Sequence, residues 1–479
     1  MKLHKLLRDV EVSGLRADGE TEITGVSCDS RTVQPGELFV AIPGEEEDGG
    51  RFIADAARHG AVCAVCEQES ESHIPCVIVP SARRALAAIS ANRFDHPDRG
   101  MTLIGVTGTN GKTTSTYLIK QILEQTIGAK VGLVGTIRNM IGDRTLPAQR
   151  TTPDALELHR LLRSMADAGC THAVMEVSSH ALALERVWGL RFAVALFTNL
   201  TQDHLDFHQT MERYCDAKAV LFENCGEAVY NADDPWHERL LRRSICRRFS
   251  YGVNAPADLR AREICLHSDG VSYRAQTIGG SVSVETGIPG AFTVYNTLGA
   301  MASCMRLGIS AADCAAALRR CGGVKGRMEV VPTPGRDYTV LIDYAHTPDA
   351  LENVLTAAKG FAAGRTVALF GCGGDRDRAK RPQMGAIAAR LADFSVVTTD
   401  NPRTEEPEKI IDDILAGMDS GAYAVIPDRT EAIYWALDTA RSGDVIVLCG
   451  KGHETYQEVG HEKRHLDERE IVAAYFREK

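Results

Sequence analysis

The sequence predicts an α/β protein of three domains. These are a small α/β domain over residues 1–97, a central parallel-sheet ATPase-type domain built on a phosphate loop over 98–328, and a doubly wound, Rossmann-like domain over 329–479. Three observations carry this prediction. The chain has 479 residues, enough for about three domains at roughly 100–200 residues each. An apolar run at Leu103, Ile104 and Val106 passes through a glycine-rich turn into a helical pattern, the layout of a phosphate-binding loop. Beyond about residue 326, strand-like and helix-like segments alternate, which means parallel strands joined by crossover helices.

The composition, 44% hydrophobic and 25% charged, is that of an ordinary globular protein. A net charge of −10 argues against a nucleic-acid partner, which needs a basic face, but leaves room for a local pocket for a small anion. Residues 1–9 are charged and contain no apolar core of a secretory signal, and no run approaches the ~20 apolar residues that span a bilayer. A cytoplasmic, monomeric chain with reduced thiols and no membrane span is expected. Cys63-Ala-Val-Cys66 matches C-x-x-C but lies in a strand-like run, where positions three apart face opposite ways, and no second pair completes a zinc site. These read as core cysteines.

In the first domain, 36–42 and 61–66 read as strands, and 52–59 and 80–94 as helices. Asp29-Ser30-Arg31 reads as a polar turn, and 96–100 has the composition of a linker. In the central domain, Gly108-Thr109-Asn110-Gly111-Lys112-Thr113-Thr114 departs from the strict G-x4-G-K-[ST] pattern, because Val106 stands where the first Gly belongs. The glycines let backbone N–H groups approach phosphate oxygens, Lys112 can reach the outer phosphates, and a threonine hydroxyl can ligate Mg²⁺.

The strand 173–177 ends in Glu176, and a carboxylate at a strand end beside a phosphate loop suits Mg²⁺. The stretch 198–208 holds His204, His208, Asp203 and Asp206, which fits either a metal shell or a polar loop with a helix cap. Lys218 falls on a predicted helix over 212–221, where the plain reading is a solvated face. A helix is expected over 297–307. In the third domain, strands over 339–343, 366–370, 394–399 and 444–449 lead into polar loops at Asp343, Gly371, Asp400 and Gly450. All four loops belong at the carboxyl edge of one parallel sheet, where such sheets bind ligands.

Taken together, G-T-N-G-K-T-T at Gly108, E-V-S-S-H at Glu176, T-N-L-T-Q-D-H-L-D at Thr198, G-R-M-E-V-V at Gly326, D-Y-A-H-T-P at Asp343, G-C-G-G-D-R-D at Gly371, D-N-P-R at Asp400 and G-K-G-H-E at Gly450 resemble the Mur ligase family. These are ATP-dependent, amide-forming enzymes of peptidoglycan precursor synthesis, and the resemblance covers essentially the whole chain. It implies that the first domain binds the UDP end of a UDP-N-acetylmuramoyl-peptide through Ser30 and the backbone at Glu45, Glu46 and Glu47. It implies that Thr151, Thr152, Ser178 and Arg186 hold the muramoyl-peptide side. ATP would be held by Gly108 to Thr114 with Asn296, Arg327 and Asp343, and Mg²⁺ by Thr113, Glu176, His204 and Lys218 as a carbamate. Lys112, Glu176, His204 and Lys218 then stand as the catalytic group.

Within the family, D-N-P-R marks members that take meso-2,6-diaminopimelate. The extra carboxylate of that amino acid suits the bidentate fork of an arginine. The resemblance places Arg376, Asp400, Asn401, Pro402, Arg403, Gly450 and Glu454 around it. The implied reaction joins diaminopimelate to the γ-carboxylate of D-glutamate in UDP-N-acetylmuramoyl-L-alanyl-D-glutamate through an acyl phosphate. Three positions depart from the family's pattern: Thr293 and Arg150 stand where an Asn is usual, and Leu184 replaces a polar residue. A lysine-adding relative is the nearest alternative, and Arg403 argues against it. A folylpolyglutamate synthetase-like ligase would have no reason to carry the first domain or D-N-P-R. A nucleotide-binding scaffold without activity would not need Lys112, Glu176, His204 and Lys218 together.

Overall fold

The computed structural model describes residues 1–44, 49–68 and 74–478. Its backbone groups into two compact units, Met1–Tyr251 with Gly299–Ile309, and Gly252–Leu298 with Ser310–Lys479.

The first unit opens with a five-stranded sheet in the order Gly14–Arg16, Cys76–Ile78, Cys63–Cys66, Leu38–Val40, Val26–Ser27. Only Gly14–Arg16 runs antiparallel to its neighbour. Cys63 and Cys66 are both buried in this sheet as free thiols, as expected for core cysteines. The helix Ala82–Arg93 packs its Ala85, Leu86 and Ile89 against the sheet, and Ser81 caps it by accepting from the Arg84 amide at 3.2 Å.

The second sheet of this unit places Thr102–Thr107 between Phe192–Phe197 and His172–Glu176, with Val131–Val134 beyond. These four strands are parallel and almost wholly buried, which explains their continuous apolar runs. Cys225–Asn231 and Arg247–Gly252 extend the parallel order on one side. A hairpin, Arg138–Ile141 with Arg144–Pro147, extends it on the other, turning through Gly142 at φ 59°.

The second unit contains an antiparallel meander, Leu259–His267, Gly270–Thr277 and Gly280–Thr286. It also contains a sheet in the order Glu329–Val331, Thr339–Asp343, Val445–Cys449, Thr366–Phe370, Phe394–Val397, Tyr423–Val425. All neighbours there are parallel except the first pair. Two apolar cores lie on opposite faces, one around Leu355, Met384 and Ile411, the other around Ile433, Leu437 and Val472. That is the doubly wound arrangement expected. A separate hairpin pairs Tyr456–Val459 with Glu462–His465.

One helix differs from expectation. It runs Ala291–Arg306 and so starts six residues before 297, directly after Pro289 and Gly290. Among the described residues, no helix is long and apolar enough to cross a membrane.

Candidate functional site

The phosphate loop of the first unit links Thr102–Thr107 to the helix Lys112–Ile127. Gly108 has φ 151°, and a Cβ there would collide with Thr198 Oγ1, so the loop requires glycine at this position. Gly111, at φ 82°, is the residue from which the helix starts. The loop is braced by the segment after Phe197. The Thr109 amide donates to Asn199 O and the Asn110 amide to Asn199 Oδ1, both at 2.9 Å, while Thr198 Oγ1 donates to Asn110 O at 2.6 Å. Lys112 Nζ donates to the carbonyls of Gly108 and Thr109 at 2.8 and 2.7 Å. Thr114 lies in the first turn of the helix.

Thr113 and Glu176 meet as the sequence suggested. Thr113 Oγ1 lies 3.0 Å from each oxygen of the Glu176 carboxylate, which is 1% exposed. Thr136, which the sequence reading missed, donates to the same carboxylate from its amide at 2.9 Å and its hydroxyl at 3.0 Å. Its position one residue after Gly135, at the end of the neighbouring strand, was the available signal. The pair offers hard oxygen donors to a divalent cation. Among the described residues no group of three or more His, Cys, Asp or Glu forms a ready-made cage. A cation that keeps its waters and takes phosphate oxygens needs none.

Lys218 is 1% exposed and donates to Gly108 O at 2.9 Å, with its ammonium 4.5 Å from the centre of the Tyr214 ring. The solvated-face reading therefore fails. The helix Met211–Glu223 buries Tyr214, Cys215, Lys218, Ala219 and Phe222, so Lys218 lies on the apolar stripe of its helix. Burial, aided by the nearby Lys112 ammonium, holds its pKa well below the ordinary lysine value.

His204, at φ 53°, precedes the short helix Leu205–His208 and remains exposed. Its ring lies edge-on to His180 at 4.7 Å, and its Nε2 is 3.4 Å from Asp203. His208 is buried against Ser179 Oγ at 2.9 Å, and burial pushes its pKa down to about 4.

A cleft of about 1280 Å³ opens in the same unit. Ser30, Arg150, Leu184 and Arg186 line it, together with Arg31 and Arg83, which the sequence reading did not select. Ser30 Oγ donates to Asp55 Oδ2 at 3.0 Å, and Arg186 Nη1 donates to Thr152 O at 2.9 Å. Thr152 Oγ1 donates to Glu176 O at 2.8 Å and accepts from the Ser178 amide at 3.1 Å, so the cleft wall is tied to the Glu176 strand. Thr151 accepts from Thr136 Oγ1 at 3.0 Å. Arg31, Arg83, Arg150 and Arg186 offer charge-assisted donors to an anionic ligand, among the carboxylates Asp29, Asp55, Asp154, Glu157 and Glu185 of the same lining, and Arg31 is already paired with Asp29 at 2.7 Å. Glu45, Glu46 and Glu47 lie outside the described residues.

In the second unit, Thr293 is wholly buried and donates to Pro289 O at 2.9 Å, so this departure from the expected Asn serves the start of its helix. Asn296 is buried one turn later. Both oxygens of Asp343 accept backbone amides, from Met328 at 2.8 Å and Ala345 at 2.9 Å, and burial raises its pKa. Arg327 lies over the Tyr344 ring at 5.3 Å.

The loops at Gly371, Asp400 and Gly450 sit together at the carboxyl edge of this unit's parallel sheet. Arg403, at φ 51°, donates from Nη1 to Gly374 O at 2.8 Å, and its Nε lies 2.8 Å from Glu458 Oε2 in an ion pair. Its backbone pairs with the hairpin, donating to Glu458 O at 3.0 Å and accepting from the Gly460 amide at 2.8 Å. Pro402 is buried beside Gly374, whose Cβ position would strike the Pro402 carbonyl.

Asn401 Nδ2 donates to Glu454 Oε2 at 3.1 Å, and Gly450, at φ 111°, leaves space that the Asp400 carboxylate occupies. Arg376 is exposed at the rim and donates to Asp375 O at 3.0 Å. Lys451 and Glu458, both central to this cluster, were not selected from the sequence. Lys451 was readable as a lysine one glycine beyond the fully apolar strand Val445–Cys449.

Three family patterns match this chain: "Mur ligase family, catalytic domain" over residues 22–99, "Mur ligase middle domain" over 106–304, and "Mur ligase, glutamate ligase domain" over 326–452. The chain is 45% identical to the UDP-N-acetylmuramoyl-L-alanyl-D-glutamate–2,6-diaminopimelate ligase of Clostridium tetani, covering 98% of each chain. It is 46% identical to the protein of the same name from Gloeobacter violaceus, over 98% of this chain and 97% of that one. A solved structure of a ligase with this name superposes with a TM-score of 0.75 at 31% identity, covering 100% of this chain and 99% of the other.

Proposed function

This chain belongs to the Mur ligase family, and from that membership we infer that it joins meso-2,6-diaminopimelate to the γ-carboxylate of D-glutamate in UDP-N-acetylmuramoyl-L-alanyl-D-glutamate, in peptidoglycan precursor synthesis. It is an ATP-dependent ligase, made of the three Mur ligase domains. Domain limits of 1–97, 98–328 and 329–479, and a cytoplasmic setting, are part of the same reading.

In the first step a γ-carboxylate oxygen attacks the γ-phosphorus of ATP, giving an acyl phosphate and ADP. The amine of diaminopimelate then attacks the acyl carbon, phosphate leaves, and the amine loses a proton. The protein's work is positioning and charge neutralisation. Lys112 exchanges its loop carbonyls for phosphate oxygens, and the amides of Gly111 to Thr114 hold the same groups, while Gly108, Thr109 and Asn110 shape the loop, the last two through their amide bonds to Asn199. Thr113, Glu176, His204 and a carbamate on Lys218 would hold Mg²⁺, whose charge would offset that of the phosphates. A lysine can accept CO₂ only as the neutral amine, and the burial of Lys218, which lowers its pKa, favours that form.

The cleft lined by Ser30 and Arg186 suits the UDP and peptide portions, with Thr151, Thr152 and Ser178, which lie behind Arg186 and Thr136, as further contacts. Asn296, Arg327 and Asp343 complete the ATP set. Arg376 and Arg403 would take the distal carboxylate of diaminopimelate, Glu454 an ammonium, and Asp400, Asn401, Pro402 and Gly450 the remaining wall.

The observation that carries the choice of amino acid is Arg403, fixed by Gly374 O and Glu458 beside Asn401 and Glu454. Lysine offers no distal carboxylate to such an arginine. Phosphate release measured with UDP-N-acetylmuramoyl-L-alanyl-D-glutamate and either meso-diaminopimelate or lysine tests the reading. Preference for lysine would refute it.

A further inference from the structure

A second hollow in the first unit involves none of the residues used above. It encloses about 530 Å³, within the ~300–1,000 Å³ usual for small-molecule sites. Ala87, Ala88 and Ala91 of the helix Ala82–Arg93 give it an apolar floor, and Trp188, 40% exposed, gives it a flat wall. Arg8, Arg99 and Arg191 line it, and no ion pair engages any of the three among the described residues. The acidic residues of the lining are Asp9 and Asp98, so the wall retains net positive charge.

Two polar atoms of this lining are buried with no hydrogen-bond partner among the described residues, His159 Nδ1 and Asp98 Oδ1. His159 is 2% exposed, and burial lowers its pKa to about 4, which leaves the ring neutral at pH 7 with Nδ1 unused. A buried nitrogen and a buried carboxylate oxygen left unpaired cost stability, and a ligand that pairs them removes that cost.

We propose that this hollow is a second ligand site, for a small organic anion with a flat apolar body and one hydrogen-bond donor. The anionic group sits among the arginines, which present charge-assisted donors. The flat body lies between Trp188 and the alanine floor, and the donor meets Asp98 Oδ1 or His159 Nδ1. The hollow uses the same two helices, Ala82–Arg93 and Ala155–Asp167, that contribute Arg83 and Glu157 to the larger cleft. The proposal does not depend on the ligase reading.

Calorimetric titration of 4-hydroxybenzoate into the full chain, with the substrate sites filled by ADP and the UDP-linked dipeptide, tests it. The expected result is one saturable site, weakened about tenfold or more by Arg99→Ala with Arg191→Ala, the usual worth of charge-assisted hydrogen bonds. That double variant should keep its nucleotide-dependent turnover, which shows that it has folded. Benzoate, which lacks the donor, and 4-hydroxybenzyl alcohol, which lacks the anion, should each bind more weakly. Absence of saturable binding, an affinity unchanged in the double variant, or equal binding of either analogue overturns the proposal.

Discussion

Lys451 Nζ donates to Glu454 Oε2 at 2.7 Å from a side chain wholly shut off from solvent. The same ammonium donates to Asn401 Oδ1 at 2.7 Å and lies 3.8 Å from Asp400 Oδ1. One buried cation thus ties three residues from two loops. Removing one partner of a buried ion pair costs about 3–5 kcal/mol, because the other charge remains without water. Lys451→Met should therefore lower the melting temperature in calorimetry. It should also raise KM for diaminopimelate about tenfold or more while leaving KM for ATP nearly unchanged. An equal rise in both would make Lys451 a general support of the fold.

Arg403 is held before any ligand arrives, by a hydrogen bond to Gly374 O and an ion pair with Glu458. A lysine cannot reproduce both contacts and still present a planar donor group. Arg403→Lys should reduce kcat/KM for diaminopimelate by about 100-fold, in line with the ~2–5 kcal/mol attached to a truncated hydrogen-bonded charge pair. Lysine should become no better a substrate. Steady-state kinetics with the two amino acids checks this, and a gain with lysine would show that the arginine acts by exclusion alone.

Lys218 should carry CO₂. With ¹³C-bicarbonate, the full chain should show a carbamate carbon resonance that is missing in Lys218→Ala. The signal should fade as the pH is lowered and the amine takes up a proton. Its lowered pKa means that fading occurs well below the ordinary lysine value. A resonance that survives in the variant would assign the carbamate elsewhere.

Glu405 predicts an acid-labile component of stability. Arg381, wholly buried, donates to Glu405 at 2.8 and 3.0 Å, and these bonds pull the carboxyl pKa from 4.5 down to about 2. A depressed folded-state pKa stabilises the fold above the unfolded value, and that contribution disappears as pH falls from 4.5 toward 2. Urea melts at about pH 5 and about pH 3 should show a smaller loss for Glu405→Gln than for the unaltered chain. Equal losses would mean that other carboxylates govern the acid limb.

The features legible in the sequence were those written in local order. The phosphate loop, the strand ending at Glu176 and the polar loops after 339–343, 366–370, 394–399 and 444–449 each follow an apolar run, and the run fixes the edge to which the loop belongs. The meander Leu259–Thr286 was not read. Its strands alternate buried and exposed residues irregularly and include a register shift between Arg262 and Cys265, so the period of two is broken. The helix at Ala291 was placed late because Thr293 and Val294 are β-branched, and a hydroxyl bond to Pro289 O offsets that disadvantage. Thr136 and Glu458 owe their roles to Glu176 and Arg403, 40 and 55 residues away, and Lys451 joins a local partner, Glu454, to Asn401, 50 residues away, so no local window contains the whole of that information. Lys218 was different: its spacing of four from Tyr214 already put it on the buried stripe.

The bridge between Arg403 and Val459 has an evolutionary consequence. The arginine that would read the incoming amino acid is attached, backbone to backbone, to a two-stranded flap that shares no strand with the parallel sheet. All four residues of the outer strand, Glu462–His465, face solvent. Drift in that strand can re-aim Arg403 without opening a cavity in either core. The role proposed for Arg403 is thereby uncoupled from foldability, and a lineage could retune the one while the other stays under separate selection.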